Sequence, residues 1–393
     1  MADLRVIEMG QLLAGPFCGQ LLADFGAEVI KVEPPDQGDP MREWGREKAD
    51  GQSLWWPVVA RGKQSVTINL RDARGQELVR ELIGGADIVV ENFRPGTLER
   101  WGLGWDVLHA LNPRLILVRV SGYGQTGPYA SRPGYGAIGE AMGGLRAVIG
   151  EPDRPPARAG ISIGDTLAAI FACVGTLVAL HARDRTDEGQ VVDSALYEAT
   201  LAVMESLIPE YAISDYIRPR TGSILPNVSP ANAYPTADGA EHLISGNQDT
   251  VWRRLADAMG RPERGDDERF ATHNARGANQ AELDGLISKW TSTMSAEALG
   301  ELLNDHNVPN GKIYTAPDML NDPHFAAREA IVKLAHPILG EFPMQNVVPK
   351  LSATPGKVRW VGPELGEHTD EVLGRLTDRS AAALAELRDA GVI

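Results

Sequence analysis

The first third of the chain alternates between two hydrophobic rhythms. Short, almost uninterrupted apolar runs (LRVIEMG, AEVIKVEPP, SVTINL, DIVVENF and RLILVRVSG) are separated by stretches such as GPFCGQLLADFG and ARGQELVRELIGGA. The runs have the length and β-branched content of strands buried on both faces. The intervening stretches carry apolar residues at i, i+3 and i+4, the period of amphipathic helices. Strand–helix alternation predicts a parallel sheet with helices on its faces, an α/β doubly wound layout.

After Gly122 the texture changes. GYGQTGPYASRPGYGAIGEAMGG is dense in glycine and reads as a loop followed by a helix. ISIGDTLAAIFACVGTLVALHARD reads as a long buried helix entered through Gly164 and Asp165, GQVVDSAL as a strand, and YEATLAVMESLIPEYAI as helical. From about Ile217 to Pro235 the composition turns to Pro, Ser, Asn and Thr, as in a linker. Beyond it a short strand, EHLISGN, mixes with polar helices such as DTVWRRLADAMG and SAEALGELLNDHN. The proline-containing stretch from Arg328 to Gly356 reads as extended.

Length and charge narrow the function. A chain of 393 residues predicts two or three domains. A net charge of −15 argues against nucleic acid as a partner, although a local arginine cluster can still hold an anionic small molecule. The two cysteines, Cys18 and Cys173, lie in apolar helix-like stretches and supply neither a disulfide framework nor a zinc site. MADLRVIEMG lacks the layout of a signal peptide, and the longest apolar run, Leu167–Leu180, is short for a membrane span. A soluble cytoplasmic protein with no membrane partner is expected.

Several chemistries are excluded by missing patterns. Glu33 ends the second strand as in dinucleotide enzymes, but the first turn, MGQLLAGPFCGQ, lacks G-x-G-x-x-G. The histidines are scattered singly with no metal-ligand spacing, and neither a nucleophile elbow nor a phosphate-binding P-loop is present. What remains is GISIGDTLAAIFACVG. Asp165, preceded by glycine and followed by an apolar helix, is a good helix N-cap. The same placement keeps its carboxylate ionised through the helix dipole, and an ionised aspartate can attack an acyl carbonyl.

These segments resemble the class III CoA-transferase family, which contains formyl-CoA transferases, carnitine CoA-transferases and acyl-CoA racemases. The resemblance runs through LLAGPFCGQLLADFGAEVIKVEPP, RGKQSVTINLR, ADIVVENFRPGTLERWGLGW, NPRLILVRVSGYGQTGPY, GISIGDTLAA, GQVVDSALYEA, VPNGKIYTAPDML, SATPGKV and LGEHTDEVL, in the family's order. It implies that Asp165 is the catalytic nucleophile, forming a mixed anhydride and then an aspartyl-CoA thioester. Each oxyanion donor is worth about 3–4 kcal/mol in such chemistry. The SGNQ segment (Gly246, Asn247 and Gln248) resembles the family's mobile loop over the site. Leu12, Leu13, Ala14, Arg71, Asn92, Phe93, Arg100 and Tyr135 match CoA-binding positions. Some members carry an arginine after the glutamate of the second strand, where this chain has Pro34, so the adenine contact must differ or come from a neighbour such as Arg42.

The resemblance further implies an interlocked homodimer. Each chain would have a large Rossmann-like domain from residues 1–205 and 328–393, a linker over 206–231, and a small domain with its return linker over 232–327. No tightly bound cofactor or metal is expected; acyl-CoA and a carboxylic acid are the substrates. The rivals are an α-methylacyl-CoA racemase and a non-catalytic acyl-CoA-binding protein. Related racemases use a histidine after the GY segment, and between His109 and His181 this chain has none. The stretch from RAGISIGD to ANAYP looks similar to the branch that pairs succinyl-CoA with malate, citramalate or itaconate. Arg218, Arg220 or Arg42 is the expected holder of a second carboxylate.

Overall fold

The computed structural model describes residues 1–393, divided into two units. The large unit comprises residues 1–145, 159–209 and 326–393, and the small unit residues 146–158 and 210–325. The large unit is therefore built from both ends of the sequence. The stretch expected as a linker, 206–231, is not all irregular. It contains the helix Leu207–Ser214, within the stretch YEATLAVMESLIPEYAI that reads as helical. The small unit also takes residues 146–158, which the sequence pattern had left in the large domain.

The large unit is organised by a six-stranded sheet of β1 (Arg5–Glu8), β2 (Glu28–Glu33), β5 (Lys63–Thr67), β6 (Ile88–Glu91), β7 (Ile116–Ser121) and β8 (Val191–Ala195). A small hairpin, β3 (Lys48–Ala49) and β4 (Gln52–Ser53), lies between β2 and β5 in sequence. The order across the sheet is β5-β2-β1-β6-β7-β8, and every pairing is parallel. The chain first winds outward from β1 through β2 to β5, then crosses back to β6 and winds the other way. The reversal falls between β1 and β6, which is where doubly wound sheets open a ligand crevice at the strand C-termini.

Side chains alternate between two cores. Ile7, Ile30, Val89 and Leu117 face one layer, covered by the helix Ala73–Gly84 and by Val372, Leu373, Leu384, Val392 and Ile393 from the C-terminal segment. Val6, Val29, Ile88, Val90, Ile116 and Val118 face the other, covered by the helices Ala14–Asp24 and Ile163–Thr186. Burial on both faces explains why these strands read as continuous apolar runs.

The helix Ile163–Thr186 departs from its expected burial. It buries a stripe of mostly small residues, Gly164, Ala168, Ala172, Thr176 and Ala179, which lets it lie close to the sheet. Its large residues Ile170, Phe171, Val174, Leu177 and Val178 point outward and are exposed in the single chain. At 24 residues it is longer than its apolar run suggests, and by length and composition it is apolar enough to cross a membrane. The buried stripe of small residues packs it against the sheet of the large unit.

In the small unit β9 (Ala231–Pro235), β10 (Glu241–Ser245) and β11 (Asn310–Lys312) form an antiparallel sheet in the order β11-β10-β9. It packs on Trp252, Leu255, Leu283, Ile287, Leu299 and Leu303 from three helices. β12 (Ile331–His336) and β13 (Gly340–Gln345) make a hairpin in the returning segment, where the sequence suggested only extended chain.

Arg276 is the polar centre of the small unit. It is fully buried and donates to the carbonyls of Ser229 (3.0 Å), Phe270 (2.9 Å) and Asn247 (2.7 Å) and to the Asp249 carboxylate (2.7 Å). Arg276→Met strips all four acceptors of their donor. We expect it to lower the unfolding free energy by about 3–5 kcal/mol, read from urea denaturation.

Candidate functional site

The loop from Gly10 to Leu13 leaves β1 at the switch point and is held by buried charge. Lys31, inside β2 and only 1% exposed, reaches Asp39 at 2.7 Å, Glu8 at 3.2 Å and the Gly10 carbonyl. Lys63 bonds Glu8 at 2.8 Å and the Pro16 carbonyl at 2.6 Å. Asp39 then accepts the N–H groups of Leu12 and Met41, both at 2.9 Å. Burial pushes the Lys31 ammonium down, but Asp39, Glu8 and Glu33 outweigh it and hold the group above the usual lysine range. Lys63 goes the other way, lowered by burial and by Lys31 beside it, against the pull of Glu8.

The product of this network is a defined loop. Leu12 sits at φ +63°, a left-handed conformation that is costly for a residue with a Cβ, and the Asp39 bond to its N–H supports it. Across the crevice Asn92, just beyond β6, accepts the Gln11 N–H at 2.7 Å and donates to the Gln11 carbonyl at 2.8 Å. Gly10 and Gly15 lie so close to Asn92 that a Cβ on Gly10 would fall 2.9 Å from its Oδ1. Leu12, Leu13, Ala14, Asn92 and Phe93 are thus gathered at the reversal of the sheet. Phe93 packs edge-on against Trp101, with ring centroids 5.1 Å apart.

The arginines separate into two kinds. Arg71, beyond β5, and Arg100, in the helix Thr97–Arg100 beyond β6, are exposed and carry no ion pair, so their charge is available to an anion. Arg42 is different. Its guanidinium clamps Glu33 through two 2.8 Å contacts, donates to the Pro363 carbonyl at 3.1 Å, and lies 3.7 Å over the Trp56 ring. Little of it is left to meet an adenine or a second carboxylate. Arg218 is held by Glu210 at 2.6 Å, and Arg220 donates to the carbonyls of Glu151 and Arg154.

Asp165 lies in the first turn of the helix Ile163–Thr186 and is half-buried. It is not the cap. The Thr166 N–H already bonds the Ser162 carbonyl at 3.1 Å, so the cap is Ser162 and Asp165 stands three residues inside. That position still faces the positive end of the helix, which favours the carboxylate anion. Its side chain rests against Gly136, the first residue of the helix Gly136–Met142. Tyr135 immediately precedes that helix and is 69% exposed. The loop after β7 therefore delivers Tyr135 and the seat of Asp165 together.

Gly246, Asn247 and Gln248 belong to the small unit, at the end of β10. The Gly246 N–H bonds the Pro230 carbonyl at 2.8 Å, Arg276 pins the Asn247 carbonyl, and Gln248 caps the helix Asp249–Ala258. The segment is thus hydrogen-bonded at Gly246 and Asn247. Lys31, Asp39, Arg276 and Gly136 were not singled out from the sequence. The one available signal was Lys31, a charge inside an otherwise apolar strand run.

Residues 1–369 match the model of CoA-transferase family III. A succinyl-CoA–D-citramalate CoA-transferase of Chloroflexus aurantiacus is 61% identical over 391 residues, covering 100% of this chain and 97% of that protein. The beta subunit of a succinyl-CoA–L-malate CoA-transferase from the same organism is 40% identical over 396 residues, covering 100% of this chain and 98% of its own. A crystal structure of a CAIB/BAIF family protein from Brucella suis superposes with a TM-score of 0.85 at 35% identity, covering 95% of this chain and 98% of that one. The chain belongs to CoA-transferase family III and is a CoA-transferase.

One carboxyl near the crevice gives the protein a pH signature. Glu91 ends β6, bonded to Arg119 at 2.8 Å and to the Phe93 N–H at 2.7 Å. Burial pushes its carboxyl up to about 7, despite the opposing pull of Arg119. The folded protein then binds a proton more tightly than the unfolded chain, whose glutamate titrates about 4.3. Stability from this group is present at the acid end of that window and is lost as pH rises towards 7. Urea unfolding should show this fall between pH 5 and 7, and Glu91→Gln should flatten it.

Proposed function

We propose that this enzyme transfers CoA from succinyl-CoA to a small dicarboxylic acid, D-citramalate foremost, through a covalent intermediate on Asp165. The observation that carries the reading is the placement of Asp165. It is an acidic side chain in the first turn of a long helix, with a glycine on each side of its approach, in a chain 61% identical to a protein named for that transfer.

In the proposed sequence an Asp165 oxygen attacks the thioester carbonyl, and the C–S bond breaks to release CoA thiolate and a mixed anhydride. The thiolate attacks the aspartyl carbonyl of that anhydride, releasing succinate and leaving an aspartyl-CoA thioester. The acceptor carboxylate then attacks the thioester and the steps run in reverse, regenerating Asp165. No proton need be transferred at any step, which suits a site whose key group is a carboxylate held at a helix N-terminus. Arg71 and Arg100 are assigned to the phosphates of CoA, and the Gly10–Leu13 loop with Asn92 to the arm near the thioester.

A homodimer is part of the proposal. Ile170, Phe171, Val174, Leu177 and Val178 form an exposed apolar face larger than scattered surface residues account for, and a second copy of the chain would cover it. In the small unit Ile213 and Ile217, 83% and 76% exposed, call for a similar cover.

The test is direct. Incubation with succinyl-CoA should add a CoA-sized mass to Asp165, and Asp165→Asn should abolish both adduct and turnover. An acceptor screen should favour four- and five-carbon dicarboxylates. Transfer to monocarboxylates or oxalate alone would sink the substrate assignment. Solvent deuterium entering Cα without any acceptor acid would support the racemase reading instead.

A further inference from the structure

Two glycines on different helices meet at Asp165. A Cβ built on Gly136 falls 2.1 Å from Oδ2, 2.7 Å from Cγ and 3.0 Å from Oδ1 of Asp165, so the carboxylate lies against a bare Cα. A Cβ built on Gly164 falls 2.8 Å from the Gly136 carbonyl oxygen and 3.1 Å from Cγ of Glu140. Glu140 is 1% exposed, and its Oε1 takes the Gly164 N–H at 3.4 Å, tying the first turn of one helix to the side of the other.

The two close approaches differ in what they meet. A methyl at Gly164 runs into backbone, so the helices themselves must part. At Gly136 the three nearest atoms all belong to one short side chain, which can rotate about χ1. A methyl there moves the carboxylate and spares the helix packing.

We infer that Gly136 is a positioning residue for the Asp165 nucleophile. The missing side chain at 136 leaves room for the rotamer from which the carboxylate attacks, while Gly164 and Glu140 set the depth at which the helix begins. The inference rests on the aspartyl reading proposed above. Its physical basis is that attack requires the reacting oxygen close to the carbonyl carbon and aligned with it, and a displacement of about 1 Å costs on the order of 100-fold in rate.

The experiment compares Gly136→Ala, Gly164→Ala, Gly160→Ala and Asp165→Asn in the full-length enzyme with succinyl-CoA and D-citramalate. The readouts are adduct formation by quenched mass spectrometry, KM for succinyl-CoA, and Tm. Gly136→Ala should slow adduct formation by about 100-fold with KM and Tm unchanged, and its crystal structure should show Asp165 in another rotamer. Gly164→Ala should lower Tm. Gly160, whose added Cβ meets nothing within 4 Å, should tolerate alanine without effect. A Gly136→Ala enzyme that forms adduct at the wild-type rate, or that slows only in step with a falling Tm, overturns the inference. Turnover that survives Asp165→Asn overturns the aspartyl reading and this inference with it. An inactive Asp165→Asn beside a full-speed Gly136→Ala overturns the inference alone.

Discussion

Charge buried under the sheet's switch point is the constraint on which the large unit depends. Glu8, Lys31, Asp39 and Lys63 are almost wholly removed from water, where an unpaired charge is costly. Together they satisfy one another and spend their remaining bonds on backbone: the carbonyls of Gly10 and Pro16 and the N–H groups of Leu12 and Met41. Apolar residues of the same volume would fill the space, but they could not dictate the path of the Gly10–Leu13 loop. The network converts electrostatic energy into loop geometry, and Asn92 then joins that loop to the strand across the crevice.

The second half of the site is built by absence. Where the first loop is shaped by side chains that fill and bond, the seat of Asp165 is shaped by glycines that leave room. Small residues continue down the buried face of the same helix, so it lies near the sheet. The outward turn of its large residues follows from the same choice. A helix that spends its small side chains on the core has only large ones left for its other face.

The sequence made the sheet legible because parallel strands buried on both faces leave uninterrupted apolar runs, and the gathering of Leu12, Leu13, Ala14, Asn92 and Phe93 followed from the family likeness. Other features left weaker traces. Gly-Asp before an apolar run imitates a helix start, so the true cap at Ser162 was masked by a better-looking one three residues on. The helical reading of YEATLAVMESLIPEYAI covers two helices, Leu196–Leu201 and Leu207–Ser214, and the break between them left no trace in the pattern. Arg42 was expected to meet the adenine or a second carboxylate, and nothing local shows that Glu33, nine residues away, takes its guanidinium. Arg276 is invisible for the same reason, its four acceptors lying in separate segments. Gly136 has no side chain to notice.

The discontinuity of the large unit bears on how the protein emerges from the ribosome. Residues 210–325 form most of a unit with its own core, and all of them are synthesised before the segment 326–393. The small unit can therefore fold while the large one still waits for its covering layer. Until Val372, Leu373, Leu384 and Val392 arrive, the face carrying Ile7, Ile30, Val89 and Leu117 has only the part of its cover supplied by the helix Ala73–Gly84 and its neighbours, and the Val392 carbonyl is not yet there to take the Asn69 N–H. A nascent chain in that state exposes part of an apolar core for the time needed to translate that segment, the kind of transient surface on which chaperones act.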